Sequence, residues 1–308
     1  MTVSSHRLAL VTEDNERYLA LLNNLQLPEL EVVDNLADAT IVLAAPPQLV
    51  PSLDHASQLE WVQSTYAGVD ALLNEALRKD YKLTNVKGMF GPLISEYVLG
   101  YAISHYRHFN LYHSQQRNQD WQPHPYQSLS GKLIVIFGTG AIGNSLANSV
   151  KALGLVPIGV NRTGIPPKQS AFEATYHVHE AKLALSKADI VVNTLPNTPE
   201  TVGLFDKPLF EACHRVLFFN VGRGHAVDSG ALLSALEAGN VEHAFLDVFI
   251  DEPISQECPY WHNPQVTVTP HIAAISLPEQ VIEVFAENYQ RWIDGYQLKF
   301  LIDFEKGY

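Results

Sequence analysis

The sequence predicts an α/β protein made of two doubly wound, parallel-sheet domains, one inserted into the other. Three observations carry this expectation. Short β-rich runs alternate with helical stretches from end to end, the rhythm of βαβ units whose helices cover both faces of an open sheet. The run Leu133–Phe137 is continuously apolar, as a central strand buried on both faces must be. A chain of 308 residues is naturally divided between two cores.

The elements follow in order. Arg7–Thr12 reads as a strand, and Glu13–Asn24 as a helix carrying Leu19, Leu22 and Leu25 near helical spacing. Glu31–Val33, Thr40–Ala44 and Leu59–Ser64 are strands, with Pro46-Pro47 ending the second. Ala71–Asp80 is expected as a helix and Lys82–Val86 as a short strand. A long helix rich in Tyr and His runs from Ile94 to about Gln116, until the Pro- and Ser-bearing stretch Gln119–Gly131 breaks it. The second series has strands at Leu133–Phe137, Val156–Asn161, near Tyr176–Val178, and at Ile190–Thr194, Val216–Val221, Ala244–Val248 and Val266–Thr269. A last helix covers Pro278 to Asp294, with Gly295 suited to its C′ position. The domain boundary is expected near Ser95, with a return after about Ala274. Residues 1–95 and 275–308 then form one domain and 96–274 the other, and the two crossovers form the hinge of a cleft.

Composition narrows the function. Twenty Lys and Arg against 33 Asp and Glu give a net charge of −13, which argues against a general nucleic-acid binder. Two cysteines, Cys213 and Cys258, exclude a disulfide framework and a thiolate zinc cluster. No apolar run approaches a membrane span, and Met1 to Thr12 lacks the h-region of a signal peptide, so a cytoplasmic protein is expected. The acidity is uneven. From Trp121 to Phe172 there is no Asp or Glu, and Lys132, Lys151, Arg162 and Lys168 give this 52-residue stretch a charge of +4, leaving −17 on the other 256 residues.

That acid-free stretch contains Gly138-Thr139-Gly140-Ala141-Ile142-Gly143, directly after an apolar strand and opening a helix. Gly138 permits the tight turn, Gly140 lets the backbone approach a pyrophosphate, and Gly143 lets helix pack on strand, with the helix N-terminus facing the negative charge. This is the dinucleotide fingerprint of a Rossmann domain in its required context. An NAD binder places a carboxylate at the end of the next strand for the ribose 2′-hydroxyl. Here the chain reads Asn161-Arg162-Thr163. Arg162 can pair with a 2′-phosphate and Asn161 or Thr163 can hydrogen-bond it, so NADPH is favoured over NADH, which remains the alternative.

Three further segments stand at strand ends: Asn220-Val221-Gly222-Arg223-Gly224, Leu246-Asp247-Val248-Phe249-Ile250-Asp251-Glu252-Pro253 and Thr269-Pro270-His271-Ile272-Ala273-Ala274. Groups at the carboxyl ends of strands line the ligand crevice of an open α/β sheet, so a cation, a carboxylate and an imidazole gathered there form an acid–base constellation. In the first domain, Ser64-Thr65-Tyr66-Ala67-Gly68-Val69-Asp70 follows a strand, and Gly68 permits close backbone approach.

With these segments in family order, the chain resembles the D-isomer-specific 2-hydroxyacid dehydrogenase family over nearly its whole length. Within it, the chain is most similar to the glyoxylate/hydroxypyruvate reductase A branch, through Leu195-Pro196-Asn197-Thr198-Pro199-Glu200-Thr201-Val202-Gly203, His271–Ile275 followed by Pro278, and the Lys306-Gly307-Tyr308 terminus. The resemblance implies a Rossmann domain inserted in a flavodoxin-like substrate domain, a homodimer, and NADPH-dependent reduction of small 2-oxoacids such as glyoxylate and hydroxypyruvate. It implies that Arg223 binds the substrate carboxylate and polarises the carbonyl, that His271 gives the proton, and that Glu252 holds the imidazole and favours its charged form. Leu195, Pro196, Val221 and Asp247 join the cofactor set, Asp247 without a catalytic role. The backbone of Tyr66, Ala67, Gly68 and Val69 is implied to bind substrate, with Tyr66 standing where relatives often have a smaller residue.

Other readings weigh less. An NADH-linked D-lactate- or D-glycerate-type dehydrogenase conflicts with Asn161-Arg162-Thr163, and a formate dehydrogenase conflicts with Glu252. A dinucleotide sensor with little turnover has no need of an intact Arg223, Glu252 and His271. The 13 histidines include His105, His108 and His113, and also His177 and His179, but neither set completes a metal site, and none is expected. Tyr97, Tyr101, Tyr106 and Tyr112 are expected to pack between domains or subunits. Leu43, Tyr66 and Trp261 are expected to set substrate selectivity.

Overall fold

The computed structural model describes residues 6–305; the Lys306-Gly307-Tyr308 terminus and the first five residues of the N-terminal stretch lie outside the described residues. The chain divides into two compact units. The outer unit comprises residues up to Met89 and from Ser276 onward, and the inserted unit is Phe90–Ile275.

In the outer unit, β1 (His6–Val11), α1 (Asn15–Leu25), β2 (Leu30–Val32), β3 (Ile41–Ala44), α2 (Pro46–Leu49), β4 (Trp61–Ser64) and β5 (Lys82–Thr84) follow in order. The strands form one parallel sheet in the order β2-β1-β3-β4-β5, the flavodoxin-like order, which reverses between β1 and β3. Asp14 caps α1 by accepting from the Arg17 N–H at 3.0 Å, and the helix buries Tyr18 and Leu22, while Leu19 and Leu25 stay exposed.

The helix expected over Ala71–Asp80 does not form. A single 3-10 turn at Asp70–Leu72 is followed by turns in which Asn74 Oδ1 accepts from the Ala76 N–H at 3.0 Å. A side chain bonding its own neighbouring backbone competes with the helical ladder, and here it wins.

The inserted unit begins with α3 (Phe90–Tyr106) and α4 (Phe109–Asn118), where the sequence suggests one long helix. The break falls at His108, whose φ of 57° is left-handed and whose Nε2 meets the Pro125 carbonyl at 2.8 Å. The Pro-bearing segment after α4 is thus tied back to the helix break. Further along come β6 (Leu133–Phe137), α5 (Ala141–Ala152), β7 (Val156–Asn161), β8 (Ala174–His177), α6 (Ala181–Leu185), β9 (Ile190–Asn193), α7 (Lys207–Phe210), β10 (Val216–Asn220), α8 (Ser229–Ala238), β11 (Val241–Leu246) and β12 (Val266–Val268). Their parallel sheet has the order β12-β11-β10-β9-β6-β7-β8, and it reverses at β6, between β7 and β9. Alternate residues of β6 serve opposite faces: Val135 and Phe137 pack in one core, Ile134 and Ile136 in the other. Within this unit, the Tyr101 ring of α3 lies 5.0 Å from that of Phe245 and the Tyr97 hydroxyl meets Thr269 Oγ1 at 2.7 Å.

The chain then re-enters the outer unit as α9 (Pro278–Ile293), with Pro278 at its start and Gly295 at φ 71° just past its Asp294 cap. Phe285 and Trp292 of α9 stack on Trp61 of β4, which has no exposed surface. No helix among the described residues is long and apolar enough to cross a membrane.

Candidate active site

The glycine loop sits where the larger sheet reverses, between the ends of β6 and α5. Gly138 adopts φ 97°, a conformation that side chains avoid, and its N–H donates to Val160 O at 2.9 Å. A Cβ at Gly143 would stand 1.9 Å from the Gly138 carbonyl oxygen, whereas one at Gly140 would meet nothing within 4 Å. Packing therefore requires the third glycine, while the second faces open space. No side chain caps the first turn of α5. Its amides, the open face at Gly140 and a cationic β7 end together suit a dinucleotide with an extra phosphate.

The end of β7 is ordered by Asn161. Its Nδ2 donates to Thr139 Oγ1 at 2.9 Å and to Ile165 O at 2.8 Å, and its Oδ1 accepts from the Thr163 and Gly164 N–H groups. Asn161 thus ties the β7 loop to the glycine loop, and Arg162 is left on the surface. Its charge reaches Glu200 on the loop after β9. That carboxyl is held below the usual carboxylate range by its backbone N–H, then by the Thr198 hydroxyl, with Arg162 adding to both.

A buried amide pair orders the next two loops. Asn193 Nδ2 donates to Asn220 Oδ1 at 2.9 Å; Asn193 Oδ1 accepts from the Leu195 N–H at 3.0 Å, and Asn220 Nδ2 donates to Arg223 O at 3.2 Å. Sequence reasoning gave neither asparagine a role, although their shared position at the ends of β9 and β10 was the available signal. Arg223 lies between two glycines with no room for side chains. A Cβ at Gly222 would be 2.7 Å from Leu195 O, and one at Gly224 would be 2.0 Å from the Phe249 carbonyl carbon. The extended Arg223 is wedged between the β9 and β11 loops, and its Nη1 donates to Gly222 O at 2.8 Å.

The loop after β12 is organised by Asp247, which is 1% exposed. Its carboxylate accepts from the Ile272 and Ala273 N–H groups, both at 2.9 Å, and from Thr269 Oγ1 at 2.5 Å, while Tyr97 Oη meets that same hydroxyl at 2.7 Å. Asp247 thereby shapes the loop that carries His271. His271 itself has φ 54°, a left-handed conformation costing about 1 kcal/mol for a non-glycine residue and common where geometry serves function. Its Nδ1 lies 2.8 Å from Glu252 Oε2, while Glu252 Oε1 accepts from the Phe249 N–H at 2.8 Å. A carboxylate only accepts, so Nδ1 carries a proton, and Nε2 has no hydrogen-bond partner among the described residues on a side chain 50% exposed.

Residues 99–273 match the family described as D-isomer specific 2-hydroxyacid dehydrogenase, NAD binding domain. The curated glyoxylate/hydroxypyruvate reductase A of Serratia proteamaculans is 32% identical over 312 residues, covering 95% of this chain and 96% of that protein. The chain belongs to the D-isomer specific 2-hydroxyacid dehydrogenase family. Solved structures agree with this. A member of the family from Aeromonas salmonicida subsp. salmonicida superposes with a TM-score of 0.93 at 43% identity, over 98% of this chain and 100% of that one. An NADPH-dependent glyoxylate/hydroxypyruvate reductase from Sinorhizobium meliloti, solved with NADP and sulfate, gives 0.86 at 27% identity, over 99% and 100%.

The remaining expected residues of this dehydrogenase are distributed as follows. Tyr66, Ala67, Gly68 and Val69 lie in the outer unit, on the loop leaving β4, where the Tyr66 hydroxyl donates to the Glu13 carboxylate. Burial, then that bond, pushes the Tyr66 phenol above its ordinary range. Leu43 is a core side chain with no exposed surface, and Trp261 is about half exposed. Cys213 is buried, which pushes its thiol up to about 12 and leaves it inert at neutral pH. Among the described residues, no group of three or more His, Cys, Asp or Glu side chains is placed to hold a metal ion.

Proposed function

We propose that this dehydrogenase reduces small 2-oxoacids of the glyoxylate and hydroxypyruvate type with NADPH. The observation that carries the reading is the Glu252–His271 pair. Its imidazole is held at Nδ1 by the 2.8 Å bond on a half-exposed side chain, on a loop that Asp247 holds in place. Reducing a 2-oxoacid needs a hydride at the carbonyl carbon and a proton at its oxygen. The nicotinamide, when bound, supplies the hydride. His271 Nε2 delivers the proton, and Glu252 stabilises the imidazolium before transfer. Arg223, with its planar donors, binds the carboxylate and draws charge onto the carbonyl oxygen. Leu195, Pro196, Val221 and the residues of the glycine loop are assigned to the dinucleotide. The Tyr66–Val69 loop is assigned to the substrate carboxylate. A cytoplasmic homodimer belongs to the same proposal.

Arg162 is assigned to the 2′-phosphate, which gives the cofactor preference a direct test. A panel of glyoxylate, hydroxypyruvate and pyruvate is assayed with NADPH and NADH. Turnover is expected to be highest with NADPH and the first two acids. Arg162→Ala should raise the KM for NADPH about tenfold or more, the loss of one charge-assisted contact, and leave that for NADH nearly unchanged. Equal effects on both cofactors would sink the NADPH assignment, and tight cofactor binding without turnover of any 2-oxoacid would sink the enzymatic one.

A further inference from the structure

In the outer unit, the loop after β4 has two consecutive carbonyls pulled toward the protein. The Ser64 Oγ donates to Tyr66 O at 2.9 Å, and the Val86 N–H lies 3.5 Å from the same oxygen. The next carbonyl, Ala67 O, accepts from Asn85 Nδ2 at 2.7 Å. A carbonyl only accepts, so the side-chain atom facing it must be the amide nitrogen, which fixes the orientation of Asn85. In a planar trans peptide the C=O and N–H point in opposite directions. Holding the Tyr66 and Ala67 carbonyls inward therefore turns the N–H groups of Ala67 and Gly68 away from their anchors. Among the described residues, neither N–H has an acceptor.

The anchors are themselves held. Ser64 has no exposed surface and Asn85 is 5% exposed. Asn85 O accepts from Gln63 Nε2 at 3.1 Å, and Gln63 Oε1 accepts from Asn288 Nδ2 of α9 at 3.1 Å and from Thr84 Oγ1 at 2.8 Å. The Asn85 Oδ1 is buried without a partner among the described residues. A buried amide that leaves its own oxygen unbonded is retained at a cost, and what it secures is the Ala67 carbonyl.

We propose that Asn85 and Ser64 are positioning residues that aim the Ala67 and Gly68 N–H groups as a paired donor for the substrate carboxylate. This rests on the reading of the enzyme as a 2-oxoacid reductase. An aligned pair of backbone donors binds an anion without adding a charge, and its strength depends on both peptides keeping one orientation. The anion meets these donors equally in the ground and transition states, so losing an anchor weakens substrate binding and spares the chemical step.

The test compares wild type, Asn85→Ala and Ser64→Ala by steady-state kinetics with glyoxylate and NADPH, and by amide hydrogen exchange across residues 64–69. Asn85→Ala should raise the glyoxylate KM about tenfold, equivalent to ~1.4 kcal/mol, with kcat at saturation and the KM for NADPH near wild type. Ser64→Ala, the milder change, should move the same parameter in the same direction by a smaller factor. Exchange in the loop should accelerate in both variants while the rest of the sheet keeps its protection. A glyoxylate KM unchanged in both variants overturns the proposal, as does a fall in kcat with the KM held. A wild type that reduces no 2-oxoacid overturns the functional reading instead. In that case unaltered loop exchange in the variants refutes the anchoring as well, and accelerated exchange supports it.

Discussion

Both units place the loops assigned to the proposed reaction at the carboxyl ends of parallel strands, but they hold them by opposite means. In the inserted unit the loop is fixed by charge: Asp247 gathers the His271 segment, and Glu252 orients an imidazole that remains half exposed. In the outer unit the loop is fixed by neutral amides and hydroxyls with almost no exposure: Ser64, Gln63, Asn85 and Asn288. The difference follows from what each loop does in the proposed reaction. A proton donor must gain and lose charge in contact with water and substrate. A backbone anion site needs only a fixed direction, which buried neutral groups give without the desolvation cost of an ion.

The contrast predicts that removing the half-exposed imidazole slows the reaction sharply and leaves the fold intact. His271→Ala should lower kcat for glyoxylate by about 10²–10³-fold, the usual contribution of a positioned acid. Its stability to urea should stay within about 0.5 kcal/mol, because a side chain half in water contributes little and φ 54° suits neither residue. Near-normal kcat in this variant would remove His271 from the mechanism, and a cooperative loss of stability would show that the loop is structural.

The buried network should respond the other way. Asn288 joins α9 to β4 through Gln63 and also accepts from the Lys299 N–H at 2.8 Å. Asn288→Ala removes one of the two donors to the buried Gln63 Oε1, takes the acceptor from the Lys299 N–H and empties a buried position, and should cost about 2–3 kcal/mol in urea unfolding, with kcat unchanged. A loss of kcat at unchanged stability would erase the distinction between the two units.

What could be read in the sequence divides along the same line. Glu252 and His271 stood out as residue types able to move a proton at strand ends, and they do meet; the glycine loop was legible because sterics demand glycine at Gly138 and Gly143. The strand series was legible too, since apolar runs mark buried parallel strands. The anchors were not. Gln63 and Asn85 are unremarkable beside a strand, and the contact that gives Gln63 its meaning comes from a residue 225 positions away. The helix expected at Ala71–Asp80 failed because Asn74 bonds its own backbone, and the long helix broke because His108 reaches a carbonyl 17 residues on. Each of these outcomes is set by a partner that local pattern does not contain.

The inserted unit contains its own exception, which yields the smallest expected effect. His243, on β11, is mostly buried; its Nε2 meets Thr267 Oγ1 at 2.9 Å and its ring lies 4.6 Å from that of Phe245. Burial first, and then the nearby His105, push its pKa down to about 4, against a smaller opposing pull from Glu242, which also binds Arg215. The folded protein therefore keeps His243 neutral where the unfolded chain, with an ordinary value near 6.5, would protonate it. Between these values the unfolded state binds more protons, so stability is complete above about pH 6.5 and falls as pH drops toward 4. The loss should be on the order of 2 kcal/mol, less than the full shift implies because water reaches part of the ring. Urea midpoints measured from pH 7 to pH 4.5 should show this slope in the wild type, and His243→Phe, which can still stack on Phe245, should flatten it. His271→Ala should leave the slope in place, since the half-exposed histidine is the one assigned to the proposed reaction and the mostly buried His243 is not. If the His271 variant flattened it instead, the acid sensitivity would lie in the Glu252–His271 pair, and the division between an exposed histidine for the proposed reaction and a buried one for the fold would fail within this unit.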